Sequence, residues 1–449
     1  MRLVRARPKL ALFLFTFLVY NVDCRSIPAG DSLGTALVPF SLLYSGTVTL
    51  DRFVPALCAS YGYTGGILHQ AADGHYYSNY PILQPILLTP LYLPLRLVPA
   101  IGRMRPEMII LLARVIEKLM ASLIAAGSVV CFFVLLRRLA PPRSALWLTL
   151  IYGFGTSTWA TSSQALWQHG ASQLTIVASL LCLQRYLDGD RRLRLALGAG
   201  LFAALAPAFR PTNLIFFAVS LATLWMFRRR GVLAACYLVA GVLIGAGLAD
   251  YNLTVFQNLG GGYANSFSGN LWSGLTGLLL SPGRGLFVFA PVLLFSLIGT
   301  ARWLSMPAAR GREIYAIAAL FALGALLATA LWPVWWGGDC YGPRLLADTL
   351  PCLVLLIVPA LDWIAARPPA RAAFAAAVAF SLMVQVVGVF YYPKGFHTPQ
   401  DLWNWRECPI LLNARAGPAT LHYRVLAHWA RQLANGETPD WRHSGLNFR

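Results

Sequence analysis

The chain has 449 residues, 57% of them hydrophobic and only 12% charged, with a formal charge of +19. That balance excludes an ordinary soluble domain and indicates an integral membrane protein. The positive charge, which would suggest nucleic acid in a soluble protein, falls instead in short arginine clusters between apolar runs, as membrane topology requires.

In chain order, a basic head precedes an apolar run over 10–22, which we read as an uncleaved first span with a cytoplasmic N-terminus. The run is also short enough for a signal peptide, but no small-x-small site precedes Cys24. Further spans, each judged against the roughly 17–25 residues needed to cross a bilayer, are expected near 108–136, 144–161, 170–187, 195–209, 211–227, 231–250, 285–300, 314–332, 345–364 and 372–392. The span over 108–136 carries Arg114, Glu117 and Lys118 near its outer end, so its membrane part starts late. The arginine-bearing loops 137–143, 188–194, 228–230, 301–312 and 366–371 then fall on the side of the N-terminus. The result is an all-α polytopic membrane protein of about eleven transmembrane helices.

The opposite, outer side receives a large first loop (about 23–107), a second piece (about 251–284) and a tail. A helix is expected over 33–46. The segment 81–99, with Pro85, Pro90, Pro94 and Pro99, reads as a bent helix in the outer interface, or partly re-entrant, rather than a straight span. The division is thus a transmembrane domain over 1–392 and a C-terminal tail over 393–449, with a surface helix near 421–433. Cys24, Cys58, Cys340 and Cys408 fall on the outer side, where a disulfide is allowed but its pairing is unreadable. The eight cysteines form no CxxC pair, so a metal site is not indicated.

The polar residues left unexplained by topology all map to the outer side: Asp31 in "PAGDSLGT", His75, Tyr76 and Tyr77 in "DGHYYSNYP", His169 in "LWQHG", Arg210 in "AFRPTN", and Arg284 in "SPGRGLFVFAP". The decapeptide "WWGGDCYGPR" adds Trp335, Trp336, Asp339, Tyr341 and Arg344. Ionisable groups at a bilayer usually have a partner or a task. Each has a plain structural alternative. Asp31 suits the N-cap of the helix that follows, the arginines can snorkel to headgroups, His169 can be a bonded helix-end residue, and the aromatics can form an interfacial belt. Together they suit glycosyl transfer from a lipid-phosphate donor. A carboxylate takes the proton of an acceptor hydroxyl, arginines stabilise the departing phosphate, and tryptophans offer a sugar-stacking surface. No P-loop or GxGxxG cradle is present, so a nucleotide is not required.

The same phrases, "GHYYSNYP", "LWQHG", "RPTN", "SPGRGLFVFAPVLL" and "WWGGDCYGPRLLADTLP", resemble those of a branch of bacterial GT-C-fold polytopic membrane glycosyltransferases, which use polyprenyl-phosphate sugars. The resemblance covers the chain to about residue 392. It implies a first span, an outer loop with an essential acid (here Asp31) and interfacial helices, and an inverting hexosyl or pentosyl transfer. It further implies an optional divalent metal, a location in the bacterial inner membrane with the site facing the periplasm, and an envelope glycan, lipid or protein as acceptor. Many members of the wider group have paired acids in the first loop. "GDS" supplies one, leaving Asp51, Asp73 or Asp339 as candidate partners. Two alternatives stay open: a flippase or transporter of a lipid-linked saccharide, disfavoured by the near absence of acids in the inner half and of internal repeats, and a ligase with a lipid-diphosphate donor.

Overall fold

The protein is described from a computed structural model over residues 2–23, 25, 27, 29–61, 66–227, 231–263, 267–306, 311–391, 399–417, 431–432 and 434–437. An apolar run in lipid must satisfy its own backbone polar groups, and helix is the open-chain solution. Helix α1 (Arg2–Asn21) is followed by α2 (Gly30–Ser45), α3 (Val54–Tyr61), a hairpin of β1 (Leu68–Gln70) and β2 (Tyr76–Ser78), α4 (Leu83–Tyr92) and α5 (Pro99–Gly102). The long α6 (Pro106–Leu139), α7 (Pro142–Phe154), α8 (Gln168–Leu187), α9 (Leu193–Phe209), α10 (Leu214–Met226) and α11 (Gly231–Phe256) come next. Then follow α12 (Leu271–Leu280), α13 (Leu286–Phe289), α14 (Leu294–Leu304), α15 (Arg312–Ala330), α16 (Leu350–Leu355), α17 (Leu361–Ala366), α18 (Pro368–Phe390) and α19 (Pro409–Ala416).

Every apolar run expected to span lies on helix. Five helical stretches meet the length and apolarity needed to cross alone: Pro106–Leu139, Gly231–Phe256, Arg312–Ala330, Arg344–Ala366 and Pro368–Phe390. The others are shorter or broken. The run 144–161 ends its α-helix at Phe154 and resumes as a π-helical turn over Thr158–Ser162. The run 285–300 breaks at Ala290 before Pro291 and continues to Leu304. Within 251–284, read as outer loop, the chain makes the additional apolar helix α12. Gly274 lies against the carbonyl of Ala330 and Gly277 against the ring of Trp335, contacts that leave no room for a Cβ.

The expected loop partition is legible in contacts. Arg138 pairs with Asp188 at 2.7 Å, the Arg312 guanidinium lies over the Phe227 ring, 5.6 Å from its centre, and Gly311 approaches Leu139. Loops 137–143, 188–194 and the ends flanking 228–230 and 307–310 therefore share one end of the bundle. Helix α11 faces outward, with only 17% of its most apolar window buried, and exposes Leu238, Val239, Val242 and Leu243 as a lipid-facing surface would.

Segment 81–99 is bent as its prolines require: α4 gives way to a 3-10 turn over Leu93–Leu97, with Leu91, Leu93, Leu97 and Val98 exposed. At the same end, Gly283 N–H donates to Leu402 O at 3.1 Å, which brings the 399–417 segment against the Arg284 turn. The expected helix over 421–433 and Cys24 lie mostly or wholly outside the described residues. Cys58, Cys340 and Cys408 are free thiols.

Candidate active site

The end of the bundle opposite the arginine loops carries the polar residues. The site is built on helix termini. Asp31 sits in the first turn of α2, His169 in the first turn of α8, and Arg210 at the C-terminus of α9. Arg344 opens the stretch that becomes α16. Asp31 is not the N-cap. Ala29 occupies that position, no side chain caps the helix, and the carboxylate turns away to other partners. Its place in the first turn still favours its negative charge.

Trp167 Nε1–H donates to Asp31 Oδ1, and Arg344 Nη1–H donates to Asp31 Oδ2. The Arg344 guanidinium also lies over the Trp167 ring, 5.1 Å from its centre, and donates to Gly337 O at 2.8 Å. Beside this pair is a buried polar cluster around Asp348. Its Oδ1 is 2.8 Å from His169 Nδ1, and its Oδ2 accepts from Arg210 Nη1 at 2.8 Å and Asn213 Nδ2 at 3.0 Å. Arg210 Nη1 also donates to Leu345 O at 2.9 Å.

A second buried network holds the segment that presents Asp31. Arg114 donates to Ala29 O at 2.7 Å and to Glu117 at 2.8 Å, and Glu117 accepts from Ser32 at 2.7 Å. Lys118 donates to Tyr20 O at 2.6 Å and Gln164 at 2.7 Å, with Asp23 at 3.5 Å. The charges of α6 thus tie both flanks of Asp31 to a rigid helix, as a functional group needs.

The decapeptide forms a loop clasped by arginines. Arg284, fully buried, donates from Nε to Trp336 O at 2.9 Å, from Nη2 to Gly338 O at 2.7 Å, and from Nη1 to Gly283 O at 2.7 Å. Gly337, Gly338 and Gly342 have φ of 76°, 72° and 72°, a left-handed backbone that glycine adopts without cost. Trp335 is packed on Gly277, and Tyr341 is buried against Phe289 with its hydroxyl donating to Val384 O at 2.8 Å. Asp339 is exposed on this loop.

His75, Tyr76 and Tyr77 lie on or beside the hairpin rather than among the charges. His75 Nδ1 is 2.9 Å from Asp51, and Tyr77 donates to Asp73 at 2.7 Å. That bond, with partial burial and the charges of Asp73 and Asp51, pushes the Tyr77 phenol up to about 12. Burial opposes the Asp51 charge, but hydrogen bonds from Tyr76 N–H, His75 and Thr49 outweigh it and lower the carboxyl. Asp73 is lowered by the Tyr77 hydroxyl and the His75 amide.

Sequence reasoning singled out Asp31, His169, Arg210 and Arg344, which the structure brings together, but not Asp348, Trp167 or Asn213. All three stood inside quoted phrases, and Asp348 was visible as an acid in an apolar run. Among the described residues no three His, Cys, Asp or Glu side chains gather as a metal-binding group.

Below the Asp348 cluster, an apolar cavity of about 780 Å³ runs between α10, α14, α15 and α16. It extends from Phe227 and Arg312 at the far end to Leu346 and Thr349, the neighbours of Asp348.

The fold has solved counterparts. The chain aligns over 97% of its length with ArnT from Cupriavidus metallidurans bound to undecaprenyl phosphate, covering 81% of that chain at 14% identity with a TM-score of 0.55. It has the GT-C fold. The Archaeoglobus fulgidus oligosaccharyltransferase in the apo form aligns over 98% of the chain at 12% identity with a TM-score of 0.51, and the chain spans 59% of that protein's length. No protein-family model and no curated protein matches the sequence. In this GT-C chain, the segment between α1 and α6 carries α2 to α5 and places Asp31 against the ends of α8 and of the Arg344 stretch.

Proposed function

We propose that the chain is a membrane glycosyltransferase that moves a sugar from a polyprenyl-phosphate donor to an acceptor hydroxyl at the outer face of a bacterial inner membrane, with inversion at the anomeric carbon. The observation that carries this reading is the Asp31–Arg344 contact, a carboxylate and a guanidinium side by side at one end of the bundle. The apolar cavity below the neighbouring Asp348 cluster supports the reading, because a polyprenyl chain needs an apolar bed below a polar headgroup site. The solved ArnT of the same fold is bound to undecaprenyl phosphate.

In the proposed reaction the acceptor oxygen forms a bond to the anomeric carbon as that carbon's bond to the phosphate oxygen breaks. The acceptor proton passes to Asp31. The electron pair of the broken bond leaves on the phosphate, where the Arg344 guanidinium balances the charge. Arg210 stands next to Arg344 through Leu345 and Asp348, so it adds positive potential at the same place. Arg284 serves by holding the 335–344 loop, and Trp336 of that loop is the aromatic candidate for the sugar face.

Native mass spectrometry of the purified protein tests the donor class. A retained polyprenyl monophosphate, free or glycosylated, is the expected adduct. A retained diphosphate-linked saccharide would replace this reading with the ligase reading.

A further inference from the structure

A separate cleft of about 470 Å³ opens at the same end of the bundle. Its walls are the loop after α11, "NLGGGY" (258–263), and the residues that follow the hairpin. Gly262 lies so close to Asn79 O that an added Cβ would stand 2.2 Å away, which seals the loop against the first outer loop. A narrower extension, lined by Tyr80, Tyr263, Pro207 and Pro211, continues from the cleft. Those two prolines flank Arg210 on either side at close sequence distance, so the extension ends beside the charged site. Tyr263 is close enough to Arg210, Asp31, Arg344 and Asp348 to feel their charges, and burial raises its phenol so that it stays a neutral hydroxyl.

The chemistry of the walls selects a ligand. Among the described residues no Arg, Lys, Asp or Glu lines the cleft. It offers amides and rings: Asn79 and Asn258 in the cleft, Asn252 in the extension, and Phe256 and Tyr263 in both. The Asn252 and Asn258 amide nitrogens donate to loop carbonyls, at 2.9 Å to Leu259 O and 3.0 Å to Phe256 O, which fixes both side chains in place. Primary amides supply both donors and acceptors, as a hydroxyl-bearing ligand needs. His69 packs beside Phe256 with ring centres 4.8 Å apart and planes tilted by 37°, adding a second ring face. A phosphorylated or carboxylated ligand would find no Arg or Lys in the cleft and only the His69 ring to meet its charge.

Resting on the glycosyltransferase reading, we propose that this cleft is the acceptor subsite and that the acceptor is a neutral saccharide. Its hydroxyl approaches Asp31 past Tyr80 and Tyr263, whose rings pack edge-to-face with centres 6.2 Å apart. The wide mouth suits a glycan that extends into solvent beyond the sugar being modified.

The test uses the full chain in lipid nanodiscs and saturation-transfer NMR. The probes are maltose, cellobiose and N,N′-diacetylchitobiose, with glucose 6-phosphate as the charged comparison. Undecaprenyl phosphate binding is measured separately by native mass spectrometry. At least one neutral saccharide is expected to show transfer that persists with undecaprenyl phosphate bound. The Asn79→Leu/Asn258→Leu variant should bind it about three- to tenfold more weakly per lost hydrogen bond, while undecaprenyl phosphate binding holds. Asn258→Leu alone, at an exposed position, repeats the test with Asn79 intact. Binding of undecaprenyl phosphate with no neutral saccharide bound, or with only glucose 6-phosphate bound, overturns the proposal. Displacement of the saccharide by a polyprenyl-phosphate mannose, but not by undecaprenyl phosphate, overturns the acceptor assignment in favour of the donor sugar. Failure of the parent to bind undecaprenyl phosphate would instead strike the glycosyltransferase reading itself.

Discussion

Asp348→Asn separates an anchoring carboxylate from a reacting one. Asp348 is 2% exposed and receives Arg210, Asn213 and His169 within 3.0 Å, while Arg210 is 9% exposed. Asn keeps the shape but removes the charge, leaving a buried guanidinium without its counter-ion, a change that costs about 3–5 kcal/mol. Arg210→Gln leaves the buried carboxylate with His169 and Asn213 and should cost slightly less. The double variant Arg210→Gln/Asp348→Asn removes both charges, so neither is stranded. The coupling should therefore be about 2–3 kcal/mol, near the top of the range for residues in contact. Unfolding in mixed micelles followed by tryptophan fluorescence measures all four species. Additivity to within about 0.5 kcal/mol would refute the anchoring argument.

Sidedness has a paired test: Ser268→Cys should react with an impermeant thiol reagent from outside and Arg191→Cys should not, both positions being exposed; the reverse labelling would invert the site's location. Arg344→Lys should weaken undecaprenyl phosphate binding about ten- to a hundredfold, because lysine keeps the charge but loses the fork. Arg284→Lys should chiefly lower thermal stability, since one ammonium cannot serve three carbonyls in place of the guanidinium; unchanged stability with lost lipid binding would return Arg284 to the phosphate. Gly299→Ala places a Cβ 1.7 Å from Leu356 O and should prevent stable packing of α14 on the Arg344–Ala366 stretch, whereas Gly247→Ala, with nothing within 4 Å, should be neutral in a detergent melting assay.

The parts of the fold that were legible in the sequence were those written in long patterns. Apolar runs gave the helices, since lipid forces helix on an apolar run, and the arginine loops gave the grouping of four connections at one end of the bundle. The breaks at Ala290 and after Phe154 were not legible, because they depend on which neighbour takes the freed backbone groups. The site was legible where charge stood out against an apolar background, as at Asp31, Arg210 and Arg344. Arg284 stood out equally, yet its guanidinium is engaged by the carbonyls of a loop far away in sequence, and no local pattern announces such a clasp. Asp31 next to a helix start invited the capping reading, which only the position of Trp167 and Arg344 removes. The cleft between 79–81 and 258–263 joins two loops whose glycines and asparagines read separately as ordinary turns.

The central claim is that Asp31 takes the acceptor's proton during sugar transfer from a polyprenyl phosphate. Lipid mass spectrometry measures it directly, as release of free polyprenyl phosphate when the purified chain is incubated with membrane-extracted lipid-linked sugars and the matching acceptor fraction. The parent should release it, and Asp31→Asn, which can still insert and bind the lipid, should release it at least ~100-fold more slowly. Release by Asp31→Asn at close to the parent rate would contradict the account.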